Sequence, residues 1–298
     1  MSLPGMLIIG GMKCGSTTLY RDLAASPDIF FPLDKEPGNL TSNHVLTDTG
    51  REEYESLFER AGPSQISAEA STNYTKRPIH DGVAERAYEV LGPKLKVIYI
   101  IREPLGRVVS HMNHNISNGE WESQSPFELI RNHRELVQFS SYGHQVSPWV
   151  EQFGPDHVRV VRLDDYMQNR RARCVELWNW LGVNPNPEGI DDGRAYNSSS
   201  AKPVLKGPFA WVPGNPIYKK LIRPLFSNRL RDRIRHFMLP KNKVARLSLD
   251  RESEREVLRL LDDQHELMGS FERSCFLGPD VCWSDWYSGK SSAKEESA

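Results

Sequence analysis

The chain has 298 residues, 38% of them hydrophobic and 26% charged, with a formal net charge of −1. That length and apolar content fit one large domain with a substantial core, or at most two small domains. The near-neutral charge argues against a general nucleic-acid binder, no apolar run reaches the 18 residues of a membrane span, and the cysteines Cys14, Cys174, Cys275 and Cys282 lack zinc-site spacing.

In chain order, residues 6–10 read as a short buried strand, followed by a glycine-containing turn and a helix over 17–25. Residues 28–32 are extended, 51–60 helical, 65–69 a second strand and 81–91 a helix. The run at 96–101 is a central buried strand, and a helix over 104–117 opens with Pro104, a position where proline is tolerated. Further helices are predicted over 126–139 and 142–153, a strand over 157–162 and a helix over 170–181. Strands alternating with helices specify an α/β fold with a parallel sheet covered on both faces. Ligands of such sheets bind beyond the C-terminal strand ends, where Lys13 and Arg102 fall.

Past about Asn184 the composition changes to loop-like stretches at 184–187, 191–193 and 197–200. Residues 202–246 then carry twelve Lys or Arg against one acid, Asp232. Ile217, Leu221, Leu225, Leu230, Ile234 and Phe237 recur among them at near-helical spacing, interrupted by Pro224. A basic helical hairpin packed on the domain is one reading; a surface for an anionic acceptor or lipid headgroups and a nucleotide lid are the others. A last helix over 251–271 leads to a Trp283–Trp286 tail, and the polar stretch 288–298 is predicted disordered. The organisation is one domain over 1–287, with 202–246 as a helical insertion or lid, and a tail.

Two local motifs carry the chemistry. In Met6-Leu-Ile-Ile-Gly-Gly-Met-Lys-Cys-Gly-Ser-Thr-Thr-Leu-Tyr20, Gly10, Gly11 and Gly15 permit a tight turn and close approach to a ligand. Gly15, Ser16, Thr17 and Thr18 offer amides and hydroxyls at a helix N-terminus, where anions bind, and Lys13 adds positive charge. Cys14 is either small filler or a partly activated thiol. Lys13 precedes Gly15 by two residues, so the NTPase order GxxxxGK[ST] is absent. Downstream, the strand at 96–101 ends in Arg102-Glu103-Pro104, followed by Arg107 and Ser110. A guanidinium at that strand end suits a phosphate bidentately.

Together these motifs resemble those of sulfotransferases that use 3′-phosphoadenosine 5′-phosphosulfate (PAPS), nearest to the heparan-sulfate (Golgi carbohydrate) type and its bacterial relatives. The resemblance covers roughly residues 5–200. It implies a P-loop-like three-layer domain with a central parallel sheet flanked by helices. PAPS is the implied co-substrate and adenosine 3′,5′-bisphosphate the product, with no metal required. Lys13, Cys14, Gly15, Ser16, Thr17 and Thr18 correspond to the 5′-phosphosulfate loop, and Arg102 and Ser110 to the 3′-phosphate site. Glu36, in Phe30-Phe-Pro-Leu-Asp-Lys-Glu-Pro37, matches the family's catalytic base, with Lys35 beside it to orient donor or acceptor. Gly38-Asn39-Leu40 replaces the family's His-Phe-Phe-like run. Glu69 is a second candidate base, in a segment similar to Glu-Lys-[Ser/Thr]-x-x-Tyr with Ala70 in place of the Lys. His44, His80, His111 and His114 are alternatives, since cytosolic sulfotransferases use a histidine. A loop at 196–202 corresponds to the family's nucleotide-closing loop without the Lys-Gly-Arg of some Golgi members, and Lys202 is its candidate ligand. Golgi relatives carry a late disulfide; Cys275 and Cys282 are close enough in sequence to pair, and stay thiols in a reducing cytosol.

The implied reaction moves the sulfuryl group from PAPS to a hydroxyl of a carbohydrate, glycolipid or natural product by in-line displacement. Phe209, Trp211, Tyr218 and Phe226 among the basic residues suit sugar stacking or peripheral membrane contact through 202–246. The competing enzyme reading is a P-loop nucleotide kinase, disfavoured by the loop order and by Arg102 where a metal-binding Asp belongs. The non-enzyme reading is an inactive nucleotide-binding scaffold, which a donor site without a working base would favour and the Ala70 departure keeps open. With the first strand starting at residue 6, no signal peptide is expected. That points to the cytoplasm, or to the Golgi lumen if an anchor was removed.

Overall fold

The computed structural model describes residues 3–33, 35–122, 124–191, 246–280 and 282–287. Its frame is a five-stranded sheet in the order β2-β3-β1-β4-β5. The strands are β1 (Met6–Gly10), β2 (Ile29–Phe30), β3 (Ile66–Ala70), β4 (Lys96–Ile101) and β5 (Val158–Arg162). Every pairing is parallel. β1 is buried along its whole length and β4 at all but Lys96, as continuous apolar strands with both faces covered require. The strands that carry the two motifs are therefore neighbours.

The helices are α1 (Ser16–Leu23), α2 (Asp48–Ser56), α3 (Val83–Leu91), α4 (Pro104–Asn118), α5 (Pro126–Asn132), α6 (Glu135–Gln138) and α7 (Tyr142–Phe153). After β5 come α8 (Leu163–Gln168), α9 (Arg170–Leu181), α10 (Arg251–Leu260), α11 (Gln264–Ser270) and α12 (Trp283–Tyr287). α4 starts where its sequence dictates. Pro104 fixes the first turn, and the Glu103 carboxylate accepts from the amides of Leu105 (2.8 Å) and Gly106 (2.7 Å).

Two helices predicted as continuous are broken. The span 126–139 divides at His133, whose ring stacks on Trp121 with centroids 3.8 Å apart, and whose backbone (φ −123°, ψ 80°) leaves the helical region. The span 251–271 divides after Leu260, where Leu261 turns fully into the core and Gln264 reaches back to the Gly143 amide at 3.0 Å. α8 leads directly out of β5 and has no counterpart among the predicted elements.

α1 is anchored from behind by a buried ion pair. Asp22 meets Arg170 of α9 through two bonds, Oδ1 to Nη2 at 2.7 Å and Oδ2 to Nε at 3.1 Å, and its Oδ2 also accepts from the Tyr166 hydroxyl at 2.6 Å. Removing one partner strands a buried charge, which costs about 3–5 kcal/mol. Asp22→Ala should lower the unfolding free energy by that amount in urea titration. A loss below ~1 kcal/mol would mean that the pair behaves like an exposed one.

Candidate active site

The turn from β1 into α1 is shaped by glycine. At Gly10 (φ 139°) a Cβ would lie 2.3 Å from Thr75 Oγ1, and at Gly15 (φ 86°) 2.6 Å from Leu163 Cδ1, so neither position admits a side chain without displacement. The Gly11 amide donates to the Ile100 carbonyl of β4 at 2.5 Å, which fastens the loop to the neighbouring strand. Lys13 follows with φ 67°. No side chain caps α1; the Thr18 and Leu19 amides return to the Gly15 carbonyl, leaving the amides of the first turn directed at the loop. This donor set suits an anion. Cys14 is wholly buried, and burial pushes its thiol up despite the opposing charges of Arg107 and Arg102. Of its two sequence readings, filler is the one this environment supports.

At the end of β4, the Arg102 guanidinium lies along the first turn of α4: a Cβ on Gly106 would sit 3.3 Å from both Nε and Nη2. Ser110 is one turn beyond Gly106 on the same helix face and is partly exposed. Arg102 and Ser110 thus share one side of α4, a strand's width from the loop that carries Lys13.

Glu36 arrives from the other direction. Its amide donates to the Ala70 carbonyl at the end of β3 (3.1 Å), and Thr72 Oγ1 donates to its Oε1 at 3.4 Å. Lys35 Nζ donates to Thr17 Oγ1 of α1 at 2.8 Å and to Glu36 Oε1 at 3.4 Å, a bridge between the carboxylate and the start of α1. Glu36 has φ 63°. Among the described residues, Lys13 and Glu36 are the two non-glycine positions with positive φ. Such backbones cost about 1–3 kcal/mol each and collect at functional sites.

The other candidate bases sit differently. His44 is exposed and paired with Glu53 at 3.0 Å. His80 has its pKa lowered by burial and by the Lys76 and Arg86 charges. His111 is buried and stacked on Phe139, with centroids 5.9 Å apart. Burial, with Arg107 next, drives its pKa down to about 2, so the ring stays neutral. His114 contacts Asn118 at 3.3 Å within α4. Glu69 is inaccessible in β3, where it accepts from the Tyr54 hydroxyl.

Three residues that local motifs did not single out belong to this region. Lys76 is largely buried, which lowers its pKa against the pull of Glu36 and Glu120. Thr72 reaches Glu36, and Tyr142 reaches the Arg102 carbonyl. Lys202 and 202–245 lie outside the described residues. Cys275 is buried and Cys282 exposed, and both are thiols. Among the described residues no cluster of three or more His, Cys, Asp or Glu side chains is arranged to hold a metal.

A glycine turn into the uncapped α1, an arginine at the adjacent strand end and a five-stranded parallel sheet make a P-loop-like fold. The sulfotransferase domain family matches residues 3–204, and the chain belongs to that family. It is 26% identical over 210 residues to bifunctional heparan sulfate N-deacetylase/N-sulfotransferase 4 of Mus musculus, covering 62% of this chain and 23% of that protein. It is 22% identical over 294 residues to carbohydrate sulfotransferase 15 of Mus musculus, covering 76% and 52%. The chain thus spans about a quarter to a half of these curated relatives. The solved sulfotransferase from Alicyclobacillus acidocaldarius superposes with a TM-score of 0.63 at 18% identity, covering 96% of this chain and 99% of that one, and shares the fold.

Glu69 makes the site's foundation sensitive to pH. Burial raises its carboxyl from 4.5 to about 7, against the pull of Tyr54, Tyr74 and the Gly38 amide. The folded state therefore binds this proton more tightly than the unfolded chain. Its contribution to stability is full below about 4.5 and is lost as the pH rises toward 7. Measured against Glu69→Gln, which does not titrate, the wild type should lose stability on the order of 2–3 kcal/mol across that window. Parallel stability curves for the two proteins would contradict the raised pKa.

Proposed function

We propose that this protein transfers a sulfuryl group from PAPS to a hydroxyl of a carbohydrate, glycolipid or related acceptor. The observation that carries this reading is the strained pair Lys13 and Glu36, a cation and a carboxylate that both border the uncapped start of α1. Family membership supports the reaction class, and the two anion-suited positions around Lys13 and Arg102 support a donor with phosphates at both ends of its ribose.

PAPS supplies the activated sulfuryl group. In this reading Lys13, the amides from Gly15 to Thr17 and the Thr18 hydroxyl hold the 5′-phosphosulfate, with Cys14 packed beneath the loop; the Thr18 amide is taken by the Gly15 carbonyl. Arg102 grips the 3′-phosphate bidentately and Ser110 adds a hydroxyl. Glu36 accepts the proton of the attacking hydroxyl, and Lys35, bonded to both Thr17 and Glu36, keeps the carboxylate aimed at the helix start. Lys13 stabilises the bridging oxygen as its bond to sulfur breaks, the moment at which a fixed positive charge helps most.

Titration calorimetry with adenosine 3′,5′-bisphosphate and with AMP tests the donor half. The bisphosphate should bind far more tightly, and Arg102→Ala should remove ~1.5–3 kcal/mol of its binding free energy. Equal affinities for the two nucleotides in the wild type would sink the second anion site.

Glu36→Gln tests the acceptor half, because it keeps the side chain's shape and removes its basicity. The variant's kcat should fall ~10²–10⁴-fold, while bisphosphate affinity changes by less than about threefold. Near-normal turnover would assign the proton to another group.

A further inference from the structure

Besides the Gly11–Ile100 backbone bond, a buried phenol joins the two anion-suited positions through the protein interior. Tyr142, the first residue of α7, is completely buried. Its hydroxyl donates to the Arg102 carbonyl at 2.6 Å. The same oxygen lies 3.7 Å from Cys14 Sγ in the phosphate loop. A phenol has one hydrogen to give and two lone pairs to receive. With that hydrogen committed to Arg102, the phenol oxygen meets Cys14 through its lone pairs, and the single S–H of Cys14 is shared with the Met12 carbonyl, 3.6 Å from Sγ. The ring cannot drift, because Tyr99 of β4 packs edge-on at 6.1 Å and Trp286 of α12 at 6.2 Å.

We propose that Tyr142 is a positioning residue which fixes the distance and direction between the loop at Lys13–Gly15 and the strand end at Arg102. The proposal rests on the donor reading given above, in which one bisphosphate nucleotide occupies both positions. The Arg102 carbonyl belongs to the peptide plane that leads into Glu103, whose carboxylate caps α4. Holding that carbonyl sets the root of the Arg102 side chain and the start of the helix that carries Ser110. Holding Cys14 sets the residue between Lys13 and Gly15. A donor whose two phosphates are spaced by a ribose gains from a second contact only when the two subsites are correctly spaced. A ligand with a single phosphate is indifferent to that spacing.

Tyr142→Phe keeps the ring and its packing and deletes both hydroxyl contacts. Calorimetry well below the melting temperature should show adenosine 3′,5′-bisphosphate affinity reduced about tenfold, as for one lost hydrogen bond. AMP affinity should stay within about twofold. A purely structural role would lower the melting temperature and leave the ratio of the two affinities unchanged; that result overturns the proposal. Cys14→Ala, which cuts only the loop side of the link, should give a smaller drop in the ratio and serves if Tyr142→Phe does not fold; an unchanged ratio there equally overturns it. A wild type that binds the two nucleotides equally would remove the donor reading and this inference together. A discriminating wild type with an equally discriminating Tyr142→Phe variant would remove only the role of Tyr142.

Discussion

The parallel pairing of β1 with β4 is the constraint on which the rest of the molecule depends. It sets Met6 beside Lys96 and Gly10 beside Tyr99, so both strands release their chains at the same edge of the sheet. Adjacent strands lie about 4.8 Å apart, which brings the loop of Lys13 and the side chain of Arg102 into one neighbourhood. Arg107 adds a third cation there, fully buried, with Nε 2.5 Å from Ser140 Oγ, another nitrogen bonded to the Leu136 carbonyl, and Nη1 3.4 Å from His111. Burial lowers its pKa, and the charge of Arg102 lowers it further. Positive groups held this close repel one another.

Around this edge the carboxylates divide by environment. Glu36 and Glu69 both stand in segments that resemble family motifs, Glu36 as the first candidate base and Glu69 as the second, and the fold separates them by burial. Glu69 faces Tyr54 inside the fold, where it supports the segment from Gly38 to Leu40, and the Leu40 amide in turn leans on the Tyr74 hydroxyl at 3.4 Å. Glu36 is partly exposed, in a backbone conformation that only firm neighbours maintain. The bond from its amide to Ala70 and the Lys35 bridge to Thr17 are such neighbours.

What could be read from the sequence was local. β1 and β4 are unbroken apolar runs, α4 announces itself by Pro104, and the loop and Arg102-Glu103-Pro104 are written in consecutive residues. The unread parts depend on distant partners. The break at His133 comes with a stack on Trp121, and the break after Leu260 comes with Leu261 entering the core and Gln264 bonding α7. Tyr142 is 40 residues from Arg102 and 128 from Cys14, so no spacing rule links them. No local motif marks Lys76, because its surroundings exist only once Phe139 and Asn73 close around it, with Nζ 6.0 Å from the ring centroid and 2.8 Å from Asn73 Oδ1.

The outermost strand has a consequence of its own. β2 shares two residue pairs with β3, Ile29 with Ile66 and Phe30 with Ser67, whereas β4 and β5 share five. Glu36 hangs from the sparsely paired margin, while Lys13 and Arg102 are set into the middle of the sheet. Regions held by few bonds open locally at little cost in free energy. The molecule is therefore modular in a mechanical sense. Its margin can accept substitutions that reshape the surroundings of Glu36, while the central strands keep Lys13 and Arg102 in place.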